Sequence, residues 1–322
     1  MKYITLGKSD LTVSRIAFGT WQLGGDWGAT DTDAAVTAIR HAADQGVTFF
    51  DTAQAYGFGA SEALLATALK GRAREELVIA TKGGLRPVAG GVVRDASASW
   101  IVEGVDSSLR ALDTDYIDLY QVHWPDSRTP FKETAETLAK LVSAGKIRHV
   151  GVSNFDTEQM DAFSATLAVE TLQPPYHLLH RHIEAAVLPY TATHGIGVLI
   201  YGPLAHGLLG GGIGRGTRFA SGDWRATSPD FQGSVFEHNL ERIDELARYA
   251  REDVGVTVGQ LAVAWTLANP AVDVAIVGTR NVAHVQESLA VADLVLDAGA
   301  LARIEDIMRD VTPVVGPSPD MR

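Results

Sequence analysis

The most constraining feature of this sequence is a strand-then-helix pattern that repeats along almost the whole chain. Short apolar runs alternate with segments whose apolar residues recur at the helical period. Eight such units can be counted, which is the number that a closed parallel barrel requires. The predicted strands span residues 16–20, 48–52, 77–82, 117–123, 147–154, 169–173, 197–202 and 273–279.

A predicted helix follows each of these strands. Thr30 or Asp31, Ser97 and Thr157 are the expected N-caps, because hydroxyl and carboxylate side chains accept hydrogen bonds from the first turn. The predicted helices are 31–45, 61–70, 97–112, 131–144, 157–165 and 183–194, then 235–252 and 257–268 after the seventh strand, and 282–292 after the eighth.

Both ends of the chain add elements to this repeat. Segments 3–6 and 11–13 flank the turn sequence GKSD, which predicts an N-terminal β-hairpin. A further helical pattern at 300–310 follows the last unit. The predicted fold class is therefore α/β, a (β/α)8 TIM barrel with an N-terminal β-hairpin and extra C-terminal helices.

Two other architectures fit the length less well. Two domains would need a linker, but the proline-rich and glycine-rich segments lie between units, so one domain over residues 1–322 is predicted. An open doubly wound sheet would carry a nucleotide-binding fingerprint after an early strand. No GxGxxG follows a predicted strand, and GGGIGRG at 210–216 is interpreted as a flexible loop rather than a phosphate cradle.

Composition excludes several classes of function. The 322 residues contain no cysteine, which rules out disulfides, thiolate nucleophiles and cysteine-ligated metals. A net charge of −12 argues against a surface for nucleic acid or anionic membranes. The chain starts without a signal-like apolar region and contains no apolar run long enough to span a membrane. We therefore expect a cytoplasmic protein, and no coiled-coil pattern requires it to be other than a monomer.

Polar or aromatic residues stand at the carboxyl end of nearly every predicted strand. In a TIM barrel these ends share one face, where the chemistry takes place. The residues are Thr20 and Trp21, Asp51 and Tyr56, Lys82, His123 and Trp124, Ser153 and Asn154, Gln173, Tyr201, and Thr279 and Arg280.

This cluster suggests proton transfer by a tyrosine. A free phenol has a pKa of about 10, so Tyr56 needs a cation nearby to act as an acid at neutral pH. Lys82 could be that cation, and Asp51 its counterion. His123 could hydrogen-bond a substrate oxygen or relay a proton. Such an acid suits the reduction of a carbonyl group, with the hydride supplied by a bound organic cofactor.

Six motifs carry a family resemblance. DTAQAYGFGASE, the strand ending in Lys82, QVHWP, GVSNF, YGPLAHGLLGG and IVGTRNVAHVQES occur in this order, and together the chain resembles the aldo-keto reductase family over its whole length. The resemblance implies a TIM-barrel oxidoreductase that uses NADPH or NADP+ and small-molecule aldehydes or ketones. It also implies a catalytic tetrad of Asp51, Tyr56, Lys82 and His123, with Tyr56 as acid in reduction and base in oxidation.

The same resemblance implies a set of cofactor contacts. Ser153, Asn154 and Gln173 would hold the nicotinamide carboxamide, and Tyr201 would stack on its ring. Residues 202–212 would cross the pyrophosphate, and residues 278–288 would hold the adenosine end. Arg280 is suited to a 2′-phosphate, because its planar donors pair with a dianion. The other expected contacts are Thr20, Trp21, Asp51, Gly202, Pro203, Leu204, His206, Leu208, Gly210, Arg218, Gly278, Thr279, His284, Glu287 and Ser288.

Some positions depart from the family pattern. His177 replaces an asparagine, His206 a glycine and Gly212 a lysine, and Arg215 or Arg218 is expected to substitute for that lysine. Gly202 replaces a serine, and His284 and Ser288 replace glutamine and asparagine. The expected substrate pocket consists of Trp21, Tyr56, His123 and Trp124, and Trp224 could also line it or cover the mouth of the barrel.

Two further functions remain open on the sequence. Lys82 could form a Schiff base with a carbonyl substrate, as in a barrel lyase or aldolase. The chain could also be a cofactor-binding subunit with a regulatory or redox-sensing role.

Overall fold

The computed structural model describes residues 1–25, 27, 31–220 and 222–318, and within these it contains twelve strands. The first two and the sixth and seventh lie outside the barrel. The strands are β1 (Tyr3–Thr5), β2 (Thr12–Ser14), β3 (Ile16–Gly19), β4 (Phe49–Asp51), β5 (Val78–Gly83), β6 (Leu85–Val88), β7 (Gly91–Arg94), β8 (Ile117–Val122), β9 (Ile147–Ser153), β10 (Thr171–Gln173), β11 (Gly197–Tyr201) and β12 (Val274–Gly278).

Ten α-helices accompany them within the same described residues. They are α1 (Thr32–Asp44), α2 (Ala60–Leu69), α3 (Ala98–Leu112), α4 (Phe131–Ser143), α5 (Thr157–Ser164), α6 (Val187–His194), α7 (Gly233–Tyr249), α8 (Val258–Ala268), α9 (Val282–Leu289) and α10 (Ala298–Ile307). Short 3₁₀ turns occur at Trp21–Leu23, Arg74–Glu76, His182–Glu184, Ala205–Gly210, Trp224–Ala226, Pro229–Phe231 and Ala290–Asp293, and a π-helical turn at Ala250–Val254.

Eight strands close into one parallel barrel, which confirms the predicted (β/α)8 fold. Their order around the barrel is β3, β4, β5, β8, β9, β10, β11 and β12, and β12 pairs again with β3 through Ala275 and Ile16. Every pairing is parallel, as consecutive strand-helix-strand connections require. All carboxyl ends therefore open at one face, called the mouth here, and the opposite face is called the floor.

The N-terminal hairpin of β1 and β2 is present and closes the floor. Leu6 and Val13 are fully buried and pack with Phe49, Leu119 and other inward-facing side chains of the barrel. Between them Gly7 has a φ of +55°, and a Cβ there would lie 2.4 Å from the backbone nitrogen of Gly197. A glycine is therefore needed for the hairpin to approach the barrel this closely.

Two of the predicted N-caps do not cap the helices in the structure. Asp31 caps α1 by accepting a hydrogen bond from the Ala34 amide at 3.0 Å, and Thr30 lies outside the described residues. Thr157 was the wrong residue, because it is the first residue of α5 and Asp156 forms a capping box with Gln159. Ser97 does precede α3, but its hydroxyl donates to Asp95 at 2.6 Å instead of capping the helix.

The hairpin of β6 and β7 was not predicted. It rises from the carboxyl end of β5, with Val88 opposite Gly91 at its turn. Pro87 lies inside β6, and a proline within an apolar run argues against a strand, except at an edge. In this hairpin β6 pairs only with β7 among the described strands, so the missing amide hydrogen of Pro87 is tolerated.

None of the described helices is both long enough and apolar enough to cross a lipid bilayer.

Candidate active site

The mouth of the barrel opens into a cleft of about 460 Å³. Its walls include side chains from β4, β9, β10 and β11, together with the loops that follow β3, β4, β8 and β12. Of the residues predicted from the strand ends, Trp21, Asp51, Tyr56, His123, Trp124, Ser153, Asn154, Gln173, Tyr201, Thr279 and Arg280 line it.

Lys82 is the centre of a buried polar cluster beneath this cleft. Its ammonium group is fully buried and donates to the Asp51 carboxylate at 2.6 Å and to the Thr52 carbonyl at 2.9 Å. The same nitrogen lies 3.4 Å from the Tyr56 hydroxyl oxygen. The predicted contacts between a lysine, its counterion and a tyrosine are thus present in the structure.

Asp51 is held on both of its oxygens. One accepts the hydrogen bond from Lys82, and the other accepts a hydrogen bond from the Gln173 side-chain amide at 2.8 Å. Charge-assisted hydrogen bonds of this kind are strong in a site with little water. The carboxylate therefore keeps a fixed position from which it neutralises the ammonium ion.

Burial and charge act in opposite directions on Lys82. Burial lowers the pKa of its ammonium group because the charged form loses its hydration, and the Asp51 carboxylate opposes that shift. The result is a lysine that gives up its proton more easily than one at the surface.

His123 stands on the other side of Tyr56, with the two rings edge to face and their centroids 5.8 Å apart. Burial of the imidazole and the nearby charge of Lys82 place the pKa of His123 well below its usual value. The ring is therefore neutral at pH 7, which makes it a hydrogen-bonding group rather than a proton source. The Asn154 amide fixes the backbone of His123 by donating to its carbonyl at 3.0 Å.

A network of polar side chains forms the wall opposite Tyr56. Ser153 donates to the Gln173 carbonyl at 2.8 Å, and Asn154 donates to the Ser153 hydroxyl at 3.0 Å. Tyr201 completes the wall by donating to the Asn154 side-chain oxygen at 2.9 Å. Asn154 has a φ of +62°, a left-handed conformation that asparagine tolerates better than most residues. These amides and the phenol ring are suited to hold a flat amide-bearing group.

Glycine allows the loop after β3 to reach Tyr56. A Cβ at Gly24 would lie 2.8 Å from the Tyr56 backbone, so any larger residue would push the loop away. Trp21 of this loop stacks near the Tyr56 ring, with centroids 6.5 Å apart and planes at 29°. Beyond it, Trp27, Leu85 and Val92 give this part of the cleft an apolar surface.

Known proteins with similar sequences share the family of this chain. A sequence model of the Aldo/keto reductase family matches residues 15–309. The chain belongs to the aldo-keto reductase family. Aldo-keto reductase YhdN of Bacillus subtilis is 41% identical to it, over 98% of this chain and 97% of the relative. The family assignment makes the protein an oxidoreductase.

Two solved structures have the same fold. The glycerol dehydrogenase of Gluconobacter oxydans is 40% identical, with a TM-score of 0.88 and 98% coverage of both chains. An aldo/keto reductase from Klebsiella pneumoniae in complex with NADP and acetate is 31% identical, with a TM-score of 0.75 and coverage of 98% of this chain and 99% of that one.

Several predicted cofactor contacts of this aldo-keto reductase lie on the cleft wall, and others do not. Beyond the strand-end residues named above, the wall includes Gly202, Pro203, Leu204, His206, Gly278 and His284. Thr20, Leu208, Gly210, Arg218, Glu287 and Ser288 are not part of it.

Four of the residues outside the wall have side-chain contacts elsewhere. Thr20 is fully buried and bonds the Asp51 carbonyl at 3.2 Å, while Leu208 is fully buried in the core outside the barrel. Arg218 donates to the Thr217 carbonyl, and Ser288 donates to the His284 carbonyl. Arg218 and Ser288 are therefore taken up by local contacts with their own segments.

Neither of the arginines expected to replace the family lysine lines the cleft. Arg215 pairs with Glu241 at 3.0 Å on the surface. Arg225 lines the cleft instead, and it donates to the His206 carbonyl at 3.1 Å and pairs with Asp223 at 2.6 Å. Arg225 lies in no recognisable motif of the sequence. Its place on the cleft wall is therefore seen only in the folded loop.

Two of the three histidines that depart from the family pattern, His177 and His206, pack against each other. The rings of His177 and His206 lie edge to face, with centroids 6.1 Å apart, and His206 also contacts Trp21 and Trp224. Trp224 itself stacks on Trp21, so it supports the cleft wall from behind. The two departures form one packing unit beside the cleft.

Further wall residues were not predicted from the sequence. Most belong to loops or to the chain after α10, where no periodic pattern marks them. They are Gly19, Gln22, Trp27, Ala55, Leu85, Val92, Arg225, Ile276, Val277, Pro317 and Ser318, whereas Gly207 and Asn281 on the same wall fall within the predicted ranges 202–212 and 278–288. The glycine and apolar members that extend the predicted strands could have been found from strand position alone, since they flank Thr20 and Thr279.

Proposed function

We propose that this protein is an NADPH-dependent reductase that transfers a hydride to the carbonyl carbon of aldehydes or ketones and that also catalyses the reverse oxidation of alcohols. The observation that carries the proposal is the buried Lys82 ammonium group, which lies 2.6 Å from Asp51 and 3.4 Å from the Tyr56 hydroxyl. This arrangement gives a phenol the electrostatic support that it needs to release a proton.

Tyr56 is the general acid in reduction. NADPH would supply the hydride when it is bound in the cleft. The Tyr56 hydroxyl gives its proton to the carbonyl oxygen as that oxygen gains negative charge. The phenolate that remains is stabilised by Lys82, whose own charge is balanced by Asp51. In the oxidation direction the same phenolate accepts the alcohol proton, so Tyr56 acts as the base.

His123 orients the carbonyl and does not protonate it. Its pKa lies well below the usual value because of burial and the Lys82 charge, so the ring is neutral at working pH. A neutral imidazole donates a hydrogen bond from one nitrogen, which polarises the carbonyl oxygen. The lowered pKa of His123 is a reason to assign the proton to Tyr56.

The cleft residues fit a nicotinamide cofactor. The amides of Asn154 and Gln173 and the hydroxyl of Ser153 are donors and acceptors suited to a carboxamide, and the Tyr201 ring suits a flat ring. At the other end, Arg280 precedes α9 and supplies a planar donor set for a 2′-phosphate, which favours NADP(H) over NAD(H). The NADP complex of the Klebsiella relative supports this choice.

The test is Tyr56→Phe, assayed by NADPH oxidation over a panel of carbonyl compounds. We expect turnover to fall at least about 100-fold, the lower range for loss of a general acid, while NADPH binding by fluorescence stays within about twofold. Glycerol and glyceraldehyde belong in the panel because the Gluconobacter relative is named a glycerol dehydrogenase.

Two results would overturn this function. Borohydride trapping of a carbonyl substrate on Lys82 without nicotinamide would favour the Schiff-base lyase. Wild-type protein that binds NADPH but reduces no carbonyl in the panel would favour a regulatory or redox-sensing subunit.

The proposal also covers the oligomeric state, the cellular location and the number of domains of the enzyme. We expect a monomer in the cytoplasm, with residues 1–322 as one domain. Light scattering after size exclusion tests the monomer, and a single cooperative unfolding transition tests the single domain.

A further inference from the structure

Glu62 is a buried carboxylate that the proposed mechanism does not use. It lies in the first turn of α2 and is fully buried, which is rare for a glutamate without a partner. The Thr81 hydroxyl donates to one of its oxygens at 2.6 Å, and the other oxygen has no hydrogen-bond partner among the described residues.

The carboxylate stands behind the strand that carries Lys82. Successive side chains of a strand point to opposite faces, so Thr81 faces the helices while Lys82 faces the barrel interior. Glu62 therefore contacts the outer face of β5 at Thr81, one residue before Lys82. It touches neither the cleft nor any atom that would react.

Among the residues that the structure describes, Lys82 is the one charged group that acts on Glu62. On α3, the Ser108 hydroxyl is near enough to favour the charged form of Glu62, although its oxygen makes no hydrogen bond of ordinary geometry. On β8, the pKa of Tyr120 is raised by burial and then by the charge of Glu62, so this phenol stays neutral. Lys82 is thus the cation in this region that a negative charge on Glu62 can influence.

Residues of the same helix turn also hold the strand that carries Asp51. Ser61 donates to the Thr20 hydroxyl at 2.8 Å and accepts from the Thr52 hydroxyl at 3.3 Å. The Thr52 carbonyl accepts from Lys82 at 2.9 Å. The start of α2 is therefore fastened to β4 through Ser61 and to β5 through Glu62, the two strands that bear the ion pair.

Opposing effects determine the charge of Glu62. Burial is the largest effect and leaves the pKa of the carboxyl group raised, while the Thr81 hydroxyl, the Ser108 hydroxyl and the Lys82 charge, in that order, favour the charged form and limit the rise. In turn, the charges of Asp51 and then of Glu62 oppose the effect of burial on Lys82. The other titratable groups near Lys82 in the described segments are Tyr56, the proposed acid, and the neutral His123, and neither is a carboxylate.

We propose that Glu62 is a positioning residue of this site, which holds β5 from outside the barrel and supplies a second negative charge that keeps Lys82 protonated. The inference rests on the proposed function, since it concerns the acid strength of Tyr56. A negative charge near Lys82 and Tyr56 makes both groups retain their protons to higher pH. Removing it lowers the pH at which the Lys82–Tyr56 pair loses its first proton, and while Lys82 keeps its charge that proton comes from Tyr56.

The test is Glu62→Gln, which keeps the oxygen that accepts from Thr81 and removes the charge. We expect the high-pH limb of the kcat profile for carbonyl reduction to move down by at least about half a pH unit, because deprotonated Tyr56 is no longer an acid. Glu62→Asp keeps the charge, so the high-pH limb of its kcat profile should coincide with that of the wild type. KM for NADPH should stay within about twofold in both variants.

A matched control separates this effect from general loss of stability. Asp273→Asn removes a partly buried carboxylate, one that accepts from the Val198 amide at 2.8 Å at the floor. It should lower the melting temperature without moving the pH profile. If Glu62→Gln does not fold, Thr81→Val weakens the same charge by removing its hydrogen bond, and it should move the limb in the same direction by a smaller amount.

A second measurement does not depend on turnover. The ionisation of Tyr56 can be followed by phenolate absorbance, as the difference between each protein and its Tyr56→Phe derivative. With Glu62→Gln, the phenolate should form at lower pH than in the wild type. Superimposable titrations and superimposable kcat profiles would show that Glu62 is only structural. A wild type without carbonyl turnover would instead count against the proposed function, while the absorbance titration still decides the role of Glu62.

Discussion

The floor and the mouth of the barrel both carry buried charges, but these charges have several partners at the floor and few at the mouth. At the floor, Asp118 accepts from the Ile79 amide at 2.9 Å and pairs with Arg74 at 2.6 Å and Arg148 at 3.4 Å. At the mouth, the fully buried ammonium of Lys82 has one carboxylate within hydrogen-bonding distance in the described part of the chain, that of Asp51. At the floor, the carboxylate of Asp118 therefore has several hydrogen-bonding and ionic partners. At the mouth, burial lowers the pKa of the Lys82 ammonium group.

The histidines of the two ends differ in the same way. At the floor, His149 lies 2.6 Å from Glu170 and 2.9 Å from Asp10, and these carboxylates raise its pKa. At the mouth, burial and a neighbouring cation lower the pKa of His123. Residues at the amino ends of barrel strands stabilise the fold, and those at the carboxyl ends do chemistry. The direction of the pKa shift therefore differs between these two histidines, in line with the different roles of the two ends of the barrel.

Replacing both members of the ion pair at the mouth, Asp51→Asn together with Lys82→Met, should have the largest effect and tests the contrast between mouth and floor. We expect carbonyl reduction to fall about 1,000-fold, because Tyr56 loses the cation that makes it acidic. Stability should stay within about 1 kcal/mol or rise, because a buried ion pair is seldom worth its desolvation. Steady-state kinetics and urea unfolding measure the two quantities. A loss of stability above about 3 kcal/mol with activity retained would reverse the assignment of the mouth.

The floor should respond in the opposite way to Asp118→Asn. The change leaves Arg74 without its close carboxylate and weakens the hold on the Ile79 amide, so we expect a loss of about 3 kcal/mol in the free energy of unfolding. The kcat value should stay within about twofold, because Asp118 is far from the cleft wall. Urea denaturation and the NADPH oxidation assay give both numbers. A fall in kcat that exceeds the fall in folded fraction would contradict a purely structural floor.

The barrel could be predicted because its strands are buried on both faces and end in reactive residues. Phe49 and Phe50 are both fully buried, which is why adjacent apolar residues there mark a strand that continues into Asp51. The ion pair between Asp51 and Lys82 followed from the neighbouring positions of β4 and β5. Strand order and residue type were enough for this part of the site.

The rest of the site depends on contacts between distant segments. The chain after α10 reaches the cleft because the Val314 amide donates to the Leu179 carbonyl at 3.0 Å, 135 residues earlier by their numbers (314 − 179). Arg225 enters the wall through its bond to the His206 carbonyl. No local pattern encodes such pairings. The wall formed by β6 and β7 was missed for a different reason, because Pro87 interrupts its strand signal.

Within the mouth, Arg280 should affect the cofactor and not the chemistry. Replacing it by glutamine removes the charged donors expected to bind a 2′-phosphate, so KM for NADPH should rise about 10-fold to 100-fold. KM for NADH and the kcat of the saturated enzyme should change by less than about twofold. Kinetics with both cofactors measure the ratio. Equal weakening of NADPH and NADH would mean that Arg280 supports the cleft wall rather than the phosphate.

The smallest expected effect concerns His149 at the floor and depends on pH. Because its pKa is raised in the folded state, His149 contributes stability that is fully present below the unfolded value of about 6.5 and is lost as pH rises through the folded value. His149→Gln should therefore destabilise the protein by roughly 1 kcal/mol at pH 6, a figure reduced by solvent screening, and by less at pH 9. Urea unfolding at the two pH values measures the difference. At the mouth, His123→Gln should show no such loss between these pH values, because a neutral imidazole does not change its charge there. If the two variants gave the same pH dependence, the contrast between the two ends of the barrel would fail at its histidines.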